Sequence, residues 1–181
     1  MEKCRMVFSG SGGQGVITAA IILAEAAVLH ENLTAVQSQV YGPQARGGAT
    51  RTDVTISNED IDYPKVSEPN VLVCLTQEAY NLYYPIIRPG GILITDPHYV
   101  TPDSKVDARQ KQFPMFQKVM DAVGRPIVFN ICMLGVVIQQ TGCVKPESIL
   151  NVLAARLPEH SLAMNRKALA LGIELGTEES H

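Results

Sequence analysis

Apolar positions along the chain change period several times, and each change marks an element. Cys4 to Phe8 is a short apolar run that predicts a strand over Arg5–Ser9. After a glycine turn, Val16, Ile17, Ala20, Ile21, Ala24, Ala27 and Val28 recur at helical spacing, predicting a helix from about Gly15 to His30. Ile22, Leu23, Ala26 and Leu29 fill most of its other side. A helix apolar nearly all round is buried on more than one face, so this one is either central or covered by a partner subunit. Leu33–Gln37 reads as a second strand. Ser38 to Gly48, with its Gly-Pro and Gly-Gly pairs, reads as a loop. From Ala49 to Ser57 the chain alternates, with Thr50, Thr52, Val54 and Ile56 against Arg51, Asp53, Thr55 and Ser57, which predicts a half-exposed strand.

Asn58 to Asn70 is a polar loop, and Val71–Leu75 is a continuous apolar run suited to a strand buried on both faces. Thr76 can cap a helix reaching about Tyr84, before Pro85. Pro89-Gly90-Gly91 turns into a strand at Ile92–Thr95, and a long polar connection runs from Asp96 to about Lys111. Phe113–Val123 is helical in pattern, with Gly124 as its stop. Pro126–Phe129 reads as a short strand, followed by helices over Asn130–Thr141, Glu147–Leu157 and Leu162–Leu175. Strands alternating with helices argue for an α/β fold, a mostly parallel sheet flanked by helices with a helical C-terminal third. The expected organisation is a single domain over 1–176 and a frayed tail over 177–181. In such sheets ligands sit beyond the carboxyl ends of the strands, where the loops Gly10–Gly15, Ser38–Gly48 and the one starting at Thr76 would all end.

Composition narrows the partners. With 46% hydrophobic and 18% charged residues over 181 positions, the chain is globular. Its net charge of −3 and lack of a basic block argue against nucleic acid. No apolar run reaches membrane-span length and no signal peptide opens the sequence, so no membrane association and a cytoplasmic location are expected. Cys4, Cys74, Cys132 and Cys143 are widely spaced, without a C-x-x-C pair, so no metal or cluster site is expected and buried thiols are the simplest reading.

The candidate chemistry lies in two loops. Gly10-Ser11-Gly12-Gly13-Gln14-Gly15 stands between strand and helix, where backbone N–H groups and the helix dipole favour a phosphate. A nicotinamide site also needs an acid after the second strand for the ribose, and Val36-Gln37-Ser38 holds none. Gln14 could point outward to a ligand or partner. The second loop brings Tyr41, Gln44, Arg46, Gly47 and Gly48, with Arg51 just beyond; an arginine fork suits a phosphate or carboxylate, and Arg and Tyr also anchor subunit interfaces.

Gly10–Gly15 followed by Tyr41-Gly42-Pro43-Gln44-Ala45-Arg46-Gly47-Gly48-Ala49 resembles the gamma subunit, or gamma domain, of 2-oxoacid:ferredoxin oxidoreductases. The resemblance continues through Thr50–Ser57, the Pro89 turn and the helices of Asn130–Leu175, covering most of the chain. It departs at Asp107–Pro114, where the family pattern has a strand and an Ile-Pro-type segment and this chain is more polar. The resemblance implies a Rossmann-like fold and a complex that converts a 2-oxoacid and coenzyme A to acyl-CoA and carbon dioxide while reducing ferredoxin. It implies alpha, beta and, in some members, delta partners holding thiamine diphosphate, magnesium and iron–sulfur clusters. This chain would hold no such cofactor itself, would assist assembly and would be inactive alone; coenzyme A contact and homodimer formation in isolation stay open. Gly10, Gly12, Gly13, Gln14, Gly15, Tyr41, Gln44, Arg46, Gly47, Gly48 and Arg51 are the candidate binding residues.

No catalytic residue is expected. His98 lies in a loop after a strand, and Asp96 beside it reads first as a turn residue before Pro97. Tyr80, Tyr83 and Tyr84 have helical spacing and read as core or interface. The alternative function is a free-standing nucleotide- or coenzyme-binding module. The oxoacid itself, whether pyruvate, 2-oxoglutarate, a branched-chain oxoacid or indolepyruvate, is not fixed by these residues.

Overall fold

The computed structural model describes residues 3–40, 48–103 and 105–178. In chain order the elements are β1 (Cys4–Gly10), α1 (Val16–His30), β2 (Thr34–Val40), β3 (Thr50–Ser57), β4 (Val71–Cys74), α2 (Gln77–Tyr83), β5 (Ile92–Thr95), β6 (Arg109–Gln112), α3 (Met115–Val123), α4 (Phe129–Thr141), α5 (Pro146–Arg156) and α6 (Glu159–Thr177). The six strands form one sheet in the order β2-β3-β1-β4-β5-β6. β1, β4, β5 and β6 pair in parallel, while β3 runs antiparallel to both β1 and β2.

Alternation along β1 splits the core in two. Met6 and Phe8 face a large apolar layer made with α1, α3, α4, α5 and α6. Val7 faces a smaller one, where Leu72, Cys74, Tyr80, Leu93, Val66 and Val100 meet. Burial on both faces explains the continuous apolar runs of β4 and β5. α1 is the central helix of the larger layer, packed on β1, β2, β3, α4 and α5. Its sides are therefore covered largely by this chain itself, with Thr18 near its start and Val28 and Leu29 near its end exposed. α4 and α6 cross at very short range through Gly135 and Gly172: a Cβ on Gly172 would lie 1.9 Å from the Cys132 carbonyl oxygen.

Several expectations need correction. β3 is buried on both faces, not half exposed: Asp53, Thr55 and Ser57 are as inaccessible as Val54 and Ile56. Its polar side is tolerated because Asp53 is satisfied by Arg51 and by the Val66 N–H, 2.8 Å away. Pro126–Val128 is a 3-10 turn rather than a strand, closed by the Phe129 N–H on the Pro126 carbonyl. β2 continues past Gln37 to Val40, so Ser38–Val40 belong to strand and not loop. The polar stretch before α3 does contain a strand, β6, at the sheet's rim. A rim strand needs no apolar alternation, because one edge and much of its surface meet water. α6 also runs two residues beyond Leu175, to Thr177.

Candidate functional site

The carboxyl ends of β1, β2, β4, β5 and β6 and the start of β3 share one edge of the sheet. The Gly10–Gly15 loop leaves β1 there. Its inner half is a built structure. Gln14 does not point outward; its side chain folds back, accepting from the Ser11 N–H at 2.8 Å and donating to the Leu75 carbonyl at 3.0 Å. That amide fills the space beside Gly10, where a Cβ would stand 2.5 Å from Gln14 Oε1. Gly15 holds a left-handed φ of 72° as the cap of α1, and a Cβ there would meet Asn130. Asn130, on α4, donates to the Gly15 carbonyl at 3.2 Å and so fixes the loop from the far side.

The outer half of the loop is different. Ser11, Gly12 and Gly13 are exposed. Gly13 sits at φ 91°, a conformation that favours glycine. Gly12 is not in that region, and a Cβ on it would touch none of the described residues within 4 Å. The amino end of α1 behind the loop carries no side-chain cap and no acid in its first turn, so its dipole and orphan amides face outward uncompensated.

Thr50 pairs with Gly10 and Arg51 with Val40, so the end of β2, the start of β3 and the first glycine loop lie at the same edge of the sheet, with β3 between β1 and β2. Tyr41, Gln44, Arg46 and Gly47 lie outside the described residues. Arg51 is spoken for: its Nε and Nη2 grip Asp53 at 2.7 and 3.0 Å, Nη2 also donates to the Val66 carbonyl at 2.5 Å, and its guanidinium lies over Tyr83. The Nε and Nη2 side of its fork is therefore committed within the chain.

The same topology explains the missing ribose acid. β2 is the outermost strand, separated from β1 by antiparallel β3, so its end is not beside the glycine loop at all. What does lie beside the loop is a groove of about 420 Å³ between α1, α4, α5 and α6, lined by Gly13, Gly15, Thr18, Asn130, Ile127 and Met164 among others. Ile127 stands 75% exposed at its rim. Neither the groove nor Asn130 was legible in advance, since both depend on how the C-terminal helices dock on α1.

The other candidates resolve as structure. Asp96 is buried and accepts from the His98 N–H at 2.8 Å and the Phe116 N–H at 2.7 Å, tying β5 to α3. Burial raises its carboxyl pKa, and those N–H groups partly offset the rise. His98 is exposed and stacks on Phe116 at 4.3 Å. Tyr80 is core: its hydroxyl accepts from the Asp103 N–H and donates to Gln110. All four thiols are free, and burial pushes those of Cys4, Cys74 and Cys132 up to about 12. Among the described residues no group of three His, Cys, Asp or Glu is placed to hold a metal, and no helix is long and apolar enough to cross a membrane.

A glycine loop braced from within, at the carboxyl edge of a mixed six-stranded sheet with helices packed on it, makes this an α/β module. Residues 5–175 match the family described as pyruvate ferredoxin/flavodoxin oxidoreductase, and the chain belongs to that family. It is 41% identical over 94% of its length, and 92% of the relative's, to 2-oxoglutarate synthase subunit KorC of Methanocaldococcus jannaschii. KorC of Methanothermobacter thermautotrophicus is 39% identical, with 95% of this chain and 94% of that protein covered. The solved keto/oxoacid ferredoxin oxidoreductase gamma subunit of Geobacter sulfurreducens superposes with a TM-score of 0.91 at 36% identity, over the full length of both chains. The chain is a gamma subunit of a 2-oxoacid:ferredoxin oxidoreductase, as the paired glycine loops imply.

Proposed function

We propose that this chain serves a 2-oxoglutarate:ferredoxin oxidoreductase and that the sheet edge carrying Gly10–Gly15 and Tyr41–Gly48 is its working surface. The choice of 2-oxoglutarate rests on the two KorC relatives, which match over nearly their whole length. The observation that carries the surface is Gly12. Neither its φ nor any described residue around it requires glycine, and glycine there lets another group come close to the backbone.

Coenzyme A suits that edge by chemistry. Exposed amides at Gly12 and Gly13, with the uncapped amino end of α1 behind them, would hold a phosphate oxygen. Gln14, Asn130 and Gly15 would keep those amides aimed. Among the described residues no group of three His, Cys, Asp or Glu is placed to hold magnesium or a cluster. In this reading thiamine diphosphate, magnesium and clusters belong to alpha, beta and delta partners, and this chain, as one domain, supports assembly and is inactive alone. When bound, coenzyme A supplies the acyl acceptor; this chain's part is to orient it or to seat the partner that does.

The test is reconstitution with the oxidoreductase partners. The complex should reduce ferredoxin with 2-oxoglutarate and coenzyme A, and more slowly with pyruvate; equal or better rates with pyruvate would overturn the substrate assignment. Gly12→Val and Arg46→Ala should each impair assembly or raise the KM for coenzyme A while the isolated chain still folds. Unchanged assembly and coenzyme A kinetics in both variants would refute the surface.

A further inference from the structure

The opposite edge of the sheet carries a second cavity, of about 380 Å³, at the amino ends of β1, β4, β5 and β6. Three cations line it, Lys3, Arg88 and Arg109, and among the described residues no Asp or Glu does. In a chain of net charge −3 this is a local reversal of sign. None of the three cations forms an ion pair among the described residues, whose salt bridges are Arg51–Asp53, Lys145–Glu31 and Arg156–Glu25. Lys3 donates only to the Asp60 carbonyl at 3.3 Å, and Arg109 donates Nε to the Gly90 carbonyl at 3.2 Å, which leaves its two terminal amino groups available. Arg88 has no side-chain bond among the described residues. A neighbouring cavity that shares Lys3 also holds Arg5 and Lys65, but there Asp62 and Glu68 offset most of the positive charge.

The rest of the lining suits an anion. Asn70 is held by the Arg5 N–H on its Oδ1 at 2.9 Å, which leaves its amide nitrogen as donor. Gly90 and Gly91 form a tight turn whose bonds to the Asp107 and Arg88 carbonyls place backbone at the cavity wall. Cys4 and Cys143 also line it, and burial keeps the Cys4 thiol neutral at ordinary pH, so no thiolate competes with an incoming charge.

We propose that Lys3, Arg88 and Arg109 form a binding site for a phosphate-bearing small molecule, separate from the glycine-loop edge and independent of the function proposed for it. A phosphate monoester offers two negative charges and three acceptor oxygens to the three cations that line the cavity. A monocarboxylate would leave charge uncompensated, and an arginine fork matches tetrahedral phosphate oxygens well.

The experiment is an amide NMR titration of the full chain in low-salt buffer with sodium phosphate, against sodium chloride at equal ionic strength and against succinate. Phosphate should move the amides of Asn70, Gly90, Gly91 and Arg109, whether or not Gly12 and Gly13 also respond. Arg88→Gln, which has no side-chain hydrogen bond to lose, and the pair Arg88→Gln/Arg109→Gln should weaken phosphate binding by about tenfold or more while melting like wild type. Shifts reproduced by chloride, shifts confined to the glycine loop, or undiminished binding in both variants would overturn the site. Succinate binding as tight as phosphate would overturn the phosphate assignment.

Discussion

Glycine does two unlike jobs along α4. At its amino end, the Gly10–Gly15 loop is held by Gln14 and Asn130, yet no described residue stands within 4 Å of a Cβ built on Gly12 or Gly13 at its tip. Further along, Gly135 and Gly172 let α4 and α6 touch backbone to backbone, and added Cβ atoms would stand 2.5 Å from the Leu169 oxygen and 1.9 Å from the Cys132 oxygen. The first use leaves room for something outside the chain; the second removes room inside it. Glycine content by itself therefore says nothing of function. The surroundings of each missing Cβ separate a surface meant for approach from a helix contact meant for packing.

The largest expected effect lies in the buried contact. Gly172→Ala should destabilise the chain by ~3 kcal/mol, roughly 6–12 °C in Tm, because the overlap is with backbone and cannot be relieved by a rotamer change. A melt within a degree of wild type would show that α6 can slide. Gln14→Ala comes next, at about 1–2 kcal/mol, since it removes two hydrogen bonds and opens space beside Gly10. It should also loosen the loop, seen as faster amide exchange at Ser11. Gly12→Ala sharpens the contrast from the other side, with a stability change within about 0.5 kcal/mol by denaturant titration.

Two smaller effects check the frame around the loop. Glu31, just past α1, accepts from the Lys145 N–H at 2.9 Å and the Ser148 hydroxyl at 2.6 Å, joining α1 to the start of α5. These bonds, Ser148 first and the Lys145 N–H next, hold its carboxyl below the ordinary glutamate range. A lowered folded pKa stabilises above the unfolded value and is lost as pH falls through the folded one. Glu31→Gln should thus cost about 1 kcal/mol near neutral pH, and the gap should close as pH drops below about 4. A pH-independent gap would assign the loss to packing instead. Last, with their pKa pushed up to about 12, Cys74 and Cys132 should resist iodoacetamide at pH 8 in the folded chain, and half-buried Cys4 should react first on prolonged exposure.

Much of this was legible from residues. The runs of β1, β4 and β5 and the period of α1 and α4 gave their elements to within a residue or two, because each is buried on more than one side and has no polar face to blur it. Thr76 was readable as a cap, and its hydroxyl does accept from the Ala79 N–H at 3.1 Å. β6 was not readable, since Arg109-Gln110-Lys111-Gln112 has the composition of a loop and becomes a strand only by pairing with β5. The half-exposed reading of β3 failed for a related reason: alternation reports polarity, and Asp53 is polar but buried with Arg51.

The sequence alone determined the two linked glycine loops, the family they belong to and the α/β alternation, because these depend on local backbone chemistry and hydrophobic period. Tertiary structure decided what the loops can do. It turned Gln14 inward, engaged Arg51 with Asp53, set β3 between β1 and β2 and left Gly12 bare. Those outcomes come from pairing and packing between segments far apart in the chain, and no local pattern encodes them.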